Sequence, residues 1–164
     1  MLKPKQQGRE VLVTDSTEWL EWSLQRLVDD AGVPDESLFQ SWLETALADA
    51  GPVSVNLRIV DEAEGWALNR QWRGKDGPTN VLSFPADMPL VDGRRVLGDI
   101  VLCAPVIARE AVQQGKVAGH HWAHLTIHGA LHLLGYDHIE ASAAERMEAL
   151  EVDLLSRLGM ANPY

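Results

Sequence analysis

Apolar and polar side chains alternate at every position from Val53 to Ile59, which is the clearest pattern in the chain. A period of two predicts a strand with one buried face. Three further strands are predicted, near 18–28, at 80–84 and at 96–103, although the first also fits one face of a helix. The last is apolar on both faces, which predicts a central position in a sheet.

Apolar residues at helical spacing predict five helices among and after these strands. They are predicted over 34–50, 61–72, 105–115, 119–134 and 140–158. No internal repeat, low-complexity tract or linker divides the chain. We therefore expect a single domain over 18–160, preceded by an extension at 1–17 that contains a short strand at 11–13.

Composition is that of a globular protein, with 164 residues, 46% hydrophobic and 23% charged. There is no apolar run of membrane-spanning length and no apolar signal segment near Met1, so we expect a cytoplasmic protein. The single cysteine, Cys103, excludes an internal disulfide. A net charge of −10 argues against a protein that coats nucleic acid by general electrostatics. Any RNA substrate would then be presented by, or shared with, a partner.

Three histidines in the segment HGALHLLGYDH form a candidate metal site. His128 and His132 are four residues apart on a predicted helix, so their side chains share one face. Gly135 can end that helix in a left-handed conformation and let the chain bring His138 back to the same ion. Three imidazoles suit one zinc ion per chain and leave a position open, as in catalytic sites. Zinc peptidases of the metzincin class place histidines at the same intervals.

The residue at position 129 distinguishes peptide-bond hydrolysis from phosphodiester hydrolysis. Zinc peptidases of the HExxH type carry their general base there, but this chain has Gly129. Phosphodiester cleavage is possible without that base, because zinc makes hydroxide near neutral pH and a cation can stabilise the charge on phosphate. Candidate cations are Arg70, Arg73 and Lys75, each of which is otherwise an ordinary surface charge.

Other residues have two readings that the sequence leaves open. His124, Asp137 and Asp99 are candidates for orienting a ligand or a water, although His124 also fits an ordinary helix histidine and Asp137 a turn cap. Tryptophans can stack on bases, but core packing is the favoured interpretation of Trp66, Trp72 and Trp122. A metallopeptidase and a non-catalytic assembly factor with structural zinc remain the alternatives to an enzyme that cleaves phosphodiester bonds.

The same segments resemble those of a known family. HGALHLLGYDH at 128–138, WRGKDGPTNVLSFP at 72–85, LGDIVLC at 97–103 and HWAHLTIHG at 121–129 are similar, in order and spacing, to segments of the YbeY endoribonucleases. The resemblance covers about 34–160.

The resemblance implies an α+β fold in which a small mixed sheet of about four strands is surrounded by helices. It implies zinc ligands at His128, His132 and His138, and a functional arginine at Arg73, with Trp72 in place of the family's usual tyrosine. It also implies cleavage of single-stranded RNA, with roles in 16S rRNA 3′-end maturation and ribosome quality control. The partners implied are the 30S subunit, a platform ribosomal protein and an Era-type GTPase.

Overall fold

A computed structural model describes residues 18–28 and 32–164. The predicted extension at 1–17, with its short strand at 11–13, lies outside the described residues. The described elements, in chain order, are β1 (Leu20–Arg26), α1 (Glu36–Leu47), β2 (Val53–Val60), α2 (Glu62–Arg73), β3 (Val81–Pro85), β4 (Arg95–Cys103), α3 (Ala104–Gln113), α4 (Ala118–Leu133) and α5 (Ala141–Arg157).

The strands form one four-stranded mixed sheet in the order β1-β2-β4-β3. β1, β2 and β4 are parallel, whereas β3 runs antiparallel to β4 along the edge. The α+β class and the central position of β4 are confirmed, and the ambiguous segment near 18–28 is a strand. Within the described residues, no helix is long and apolar enough to cross a membrane.

The two faces of the sheet are covered differently, which determines where the histidine helix lies. α4 packs against β3, β4, α1, α3 and α5, and most of its residues are buried. Apart from its histidines and Thr126, its residues are apolar, as expected for a helix surrounded by other elements. α2 covers the other face, where Leu68 packs with Val101 and Cys103. The edge strand β3 therefore has α4 against one face and the side chains that pack with α2 on the other.

The predicted core role is confirmed for Trp122, which is 2% exposed, but is wrong for Trp66 and Trp72. Trp66 is 40% exposed and Trp72 is 63% exposed. Trp66 lies about 100° around the helix axis from Gly65, which faces the sheet. Trp72 lies in the last turn of α2, where its ring meets the edge of the Phe84 ring on the outermost strand, 6.0 Å between centroids.

Candidate metal centre

His128 and His132 stand on the same face of α4, one turn apart. Their ring centroids are 4.5 Å apart and their Nε2 atoms are 3.0 Å apart. The helix places them there because positions i and i+4 share a face and side chains lean towards the preceding turn. Two nitrogen lone pairs thus meet at one point at the surface end of a buried helix.

His138 is brought to the same point by the end of α4. Gly135 has a φ of 100°, a conformation that favours glycine, and the amides of Gly135 and Tyr136 bond back to the helix carbonyls. The His138 ring then lies 5.6 Å from that of His128 and 4.9 Å from that of His132, between centroids. One donor atom from each of the three histidines lies within 4.8 Å of the others.

The outer nitrogens of two rings are held by acceptors. His128 Nδ1 contacts the Glu151 carboxylate, and His132 Nδ1 lies 3.0 Å from the Tyr136 carbonyl. A carbonyl can only accept, so His132 Nδ1 carries the hydrogen and its Nε2 keeps a free lone pair. Burial, together with the charges of His128 and His138, lowers the pKa of His132 and favours its neutral form. This donor set suits a divalent cation, since metal-bound imidazoles in proteins donate their other nitrogen to an acceptor.

Glu151 is the residue of the site that the sequence reasoning missed. It lies on α5, is 0% exposed and contacts His128, His124 and Tyr164. Burial alone would raise the pKa of Glu151, but hydrogen bonds from these three residues outweigh burial and lower the pKa to about 2. Burial and the adjacent carboxylate raise the pKa of Tyr164, which keeps its hydroxyl protonated. The sequence does carry one sign of its role, since Glu151 is a charged residue within the apolar stripe of the last predicted helix.

The three candidates for orienting a ligand are placed differently. His124 is buried and its Nε2 lies 3.3 Å from Glu151 Oε2, so it contacts the carboxylate that supports His128. Asp137 accepts the backbone N–H groups of His138 and Ile139, at 2.6 and 3.1 Å, and therefore caps the turn.

Asp99 is not brought to the histidines. Its carboxylate is exposed and accepts a 3.0 Å hydrogen bond from Asn56 on β2. It alternates along β4 with Ile100, which lies next to Gly129 of α4, so Asp99 points to the other face of the sheet. The expectation that Asp99 orients a ligand is therefore wrong.

The candidate cations lie at the end of α2 and in the loop that follows. Arg70, Arg73 and Lys75 are exposed, and none of their side chains forms an ion pair or hydrogen bond with another described residue. Gly74, with a φ of 64°, ends the helix between them. The structure gives no direct contact between this group and the histidines. The exposed ring of Trp72 lies in the same last turn of α2 as Arg70 and Arg73.

Gly129 allows α4 to lie close to the sheet. A Cβ atom at this position would lie 2.8 Å from Ile100 Cγ2 and 3.3 Å from both Ser83 Oγ and Val81 Cγ2. The Gly129 carbonyl also accepts a 2.9 Å hydrogen bond from the Ser83 hydroxyl. A glutamate has no room here, so the position that holds the general base in HExxH peptidases is closed to it.

Comparison with known proteins decides the family. A family model described as Endoribonuclease YbeY matches residues 28–159, which include the three histidines, Glu151 and Arg73. The chain belongs to the YbeY family. Members of this family are nucleases, so the chain is an enzyme of the hydrolase class.

Relatives named Endoribonuclease YbeY match most of the chain. The one from Pseudomonas entomophila is 56% identical over 148 residues, which is 88% of this chain and 93% of that protein. The one from Alkalilimnicola ehrlichii is 53% identical over 139 residues, or 82% and 84% of the two chains. A Thermotoga maritima protein solved in solution is 28% identical, covers 83% of this chain and 91% of its own, and has a TM-score of 0.53. The YbeY match ends before Tyr164, which nonetheless contacts Glu151.

Proposed function

We propose that this chain is a zinc-dependent endoribonuclease that cleaves single-stranded RNA. The observation that carries the proposal is the convergence of His128 Nε2 and His132 Nε2, 3.0 Å apart, with both outer nitrogens facing acceptors. His138 is the third donor. Zinc accepts imidazole ligands, although three imidazoles also suit nickel or copper. The names of the YbeY relatives support RNA as the substrate.

The chain itself supplies orientation and charge. His128, His132 and His138 would hold one zinc ion, which when bound lowers the pKa of a water molecule to about 7 and polarises a phosphoryl oxygen. Glu151 accepts from His128 Nδ1 and so keeps His128 Nε2 facing the other two histidines. The Tyr136 carbonyl does the same for His132. No general base is needed at position 129, which the neighbouring strands close.

Arg73 is the group proposed to stabilise the charge that develops on the phosphate. Its guanidinium is exposed and has no partner among the described residues, so its donors are free to form a fork with two phosphate oxygens. Arg70 and Lys75 lie within the same turn and loop and would attract the neighbouring phosphates. Trp72 offers an exposed ring on which an unpaired base can stack, which favours single strands over duplexes.

The cellular role that we propose is maturation of the 16S rRNA 3′ end and ribosome quality control in the cytoplasm. The net charge of −10 supports action on RNA that is presented by a partner. The partners proposed are the 30S subunit, a platform ribosomal protein and an Era-type GTPase. A metallopeptidase is disfavoured, because Gly129 leaves no room for the glutamate base. A purely structural zinc is disfavoured, since three ligands leave one position open and His138 is exposed.

Cleavage of a labelled single-stranded RNA tests the proposal, with the same sequence annealed to its complement as the duplex control. Zinc-loaded wild type is expected to cut the single strand and to leave the duplex intact. His128→Ala, purified in parallel, controls for contaminating nuclease and is expected to be inactive. Equal cleavage by wild type and His128→Ala, or none by either, would contradict the proposal.

A further inference from the structure

We propose that Tyr164 is a positioning residue of the metal centre, which acts through Glu151 on His128. Its hydroxyl fixes the buried carboxylate in the orientation that keeps His128 Nδ1 protonated and His128 Nε2 facing the other histidines. This inference rests on the proposed metal centre and deepens it. It assigns a function to residues 160–164, which follow α5 and lie beyond the residues that match the family model.

The two oxygens of Glu151 have different partners. Oε1 accepts from His128 Nδ1, whereas Oε2 accepts from the Tyr164 hydroxyl and lies 3.3 Å from His124 Nε2. Because Glu151 is 0% exposed, its carboxylate depends on these protein donors rather than on bulk water. The Tyr164 hydroxyl and His124 therefore fix the rotation of the carboxylate about its terminal bond, and that rotation aims Oε1 at His128.

Tyr164 is itself held in place by contacts of its ring and backbone. Its ring meets the His124 ring edge to face, with centroids 5.3 Å apart. Its backbone N–H donates to Asn162 Oδ1 at 2.9 Å. Upstream, the Met160 N–H donates to the Leu155 carbonyl at 2.9 Å, and the Met160 side chain packs against the core. The segment is thus anchored at Met160, and its aromatic residue reaches the metal-supporting carboxylate.

A second metal ion is the competing explanation of this cluster, since His124, His128 and Glu151 have donor atoms within 4.8 Å of one another. Hydrogen bonding accounts for the contacts without an ion. Each one pairs a carboxylate oxygen with an N–H or O–H group, and His128 Nδ1 cannot both donate to Glu151 and bind a metal. The assigned role therefore predicts one zinc per chain.

Zinc affinity, measured by competition with a chelating indicator, tests the coupling between Tyr164 and Glu151. Removing an outer partner of a ligating histidine typically weakens metal binding by about 10–100-fold. We expect Tyr164→Phe to weaken zinc binding by about 10-fold and Glu151→Gln by more. Because both act through one carboxylate, adding Tyr164→Phe to Glu151→Gln should cause little further loss, rather than the full additive loss. Leu24→Ala, at a fully buried residue of β1 far from the Glu151 contacts, lowers stability and controls for a merely structural effect.

Ring nitrogen chemical shifts report the tautomer of His128 directly, so this measurement does not depend on a change in stability. In the zinc-free wild type, His128 is expected to carry its proton on Nδ1, and Tyr164→Phe should shift part of the population to the other tautomer. Equal zinc affinity and equal tautomer populations in wild type and Tyr164→Phe would overturn this inference alone. Additive losses in the double variant, or a second zinc per chain, would also overturn it. Failure of the wild type to bind zinc would overturn the metal centre and this inference together.

Discussion

The Nε2 atoms of His128 and His132 lie 3.0 Å apart, while the Nδ1 atom of each ring faces an acceptor of its own. Two neutral imidazoles in these tautomers point lone pairs at each other, which is unfavourable unless a cation lies between them. The geometry of the candidate metal site is therefore set by groups outside it, namely the Glu151 carboxylate and the Tyr136 carbonyl.

Gly129 is expected to tolerate no side chain. Gly129→Ala would place a Cβ atom 2.8 Å from Ile100 Cγ2, so α4 must move away from the sheet. Overpacking of this kind costs about 1–3 kcal/mol of the free energy of unfolding. Urea unfolding measures the loss. Zinc affinity should fall as well, because His128 immediately precedes Gly129 on the helix.

Gly119→Ala is the matched control on the same helix. A Cβ atom at position 119 would have no neighbour within 4 Å, and the residue is helical. Replacement of a helical glycine by alanine is expected to stabilise the protein by about 0.5–1 kcal/mol. If the two variants changed the unfolding free energy in the same direction, the close approach of α4 to the sheet would be wrong.

Trp72 is expected to bind an unpaired base. Loss of a stacked aromatic ring costs about 1–3 kcal/mol per base, so Trp72→Ala should weaken binding of a short single-stranded RNA by about 10-fold. Trp72→Phe should retain most of the affinity. Trp66→Ala is the control, because Trp66 is also exposed on α2 but its Nε1 donates to Asp76 at 2.7 Å. Equal losses for Trp66→Ala and Trp72→Ala in fluorescence anisotropy would argue against a specific stacking site.

Arg73 is expected to affect the chemical step without affecting the metal. Arg73→Ala should lower kcat for RNA cleavage by about 100-fold, as for other groups that stabilise developing charge, with zinc content unchanged. Arg73→Lys should recover only part of the rate, because lysine lacks the fork of donors. Arg157→Ala, at an exposed arginine paired with Asp153 on α5, should cleave at the wild-type rate. A normal rate in Arg73→Ala would exclude this role.

His121 is expected to make the fold less stable in mild acid. Burial lowers the pKa of His121 below its usual 6.5, although the Glu110 carboxylate opposes this, and Lys116 and His124 add to it. The unfolded chain then binds more protons than the folded chain as the pH falls through 6.5, so the free energy of unfolding falls there and is unaffected well above 6.5.

The variant His121→Gln, which keeps a donor for Glu110 but does not titrate, should reduce this effect. Urea unfolding of zinc-free protein at about pH 7.5 and about pH 5.5 measures the difference. The loss of stability between the two pH values should be smaller in His121→Gln than in wild type. An identical loss would show that His121 titrates in the same way in the folded and unfolded chain.

Local spacing explains why the convergence of the three histidines could be predicted from the sequence. The relative placement of His128 and His132 follows from one helical turn, and the return of the chain to His138 follows from Gly135. The strand at 53–60 and the central position of β4 likewise follow from period and apolar content. Each of these features depends on residues within a few positions of one another.

The rest depends on contacts that no local pattern encodes. Glu151 reaches His128 from a different helix, and its only sequence signal is a charge within an apolar stripe. Asp99 does not meet the histidines, because the face of β4 that meets α4 is set by the packing of Gly129 on Ile100. Trp66 and Trp72 were assigned to the core, because sequence does not show where a helix extends past the edge of a sheet.

The most direct test of the metal centre is elemental analysis of purified protein, with His128→Ala, His132→Ala and His138→Ala beside wild type. Circular dichroism checks that each variant is folded, and His120→Ala, at an exposed histidine of α4, is the matched control. About one zinc per chain is expected in wild type and in His120→Ala, with loss of zinc from each folded ligand variant. Wild-type protein without zinc when prepared free of chelators, or ligand variants that retain it, would show that these histidines do not form a zinc site.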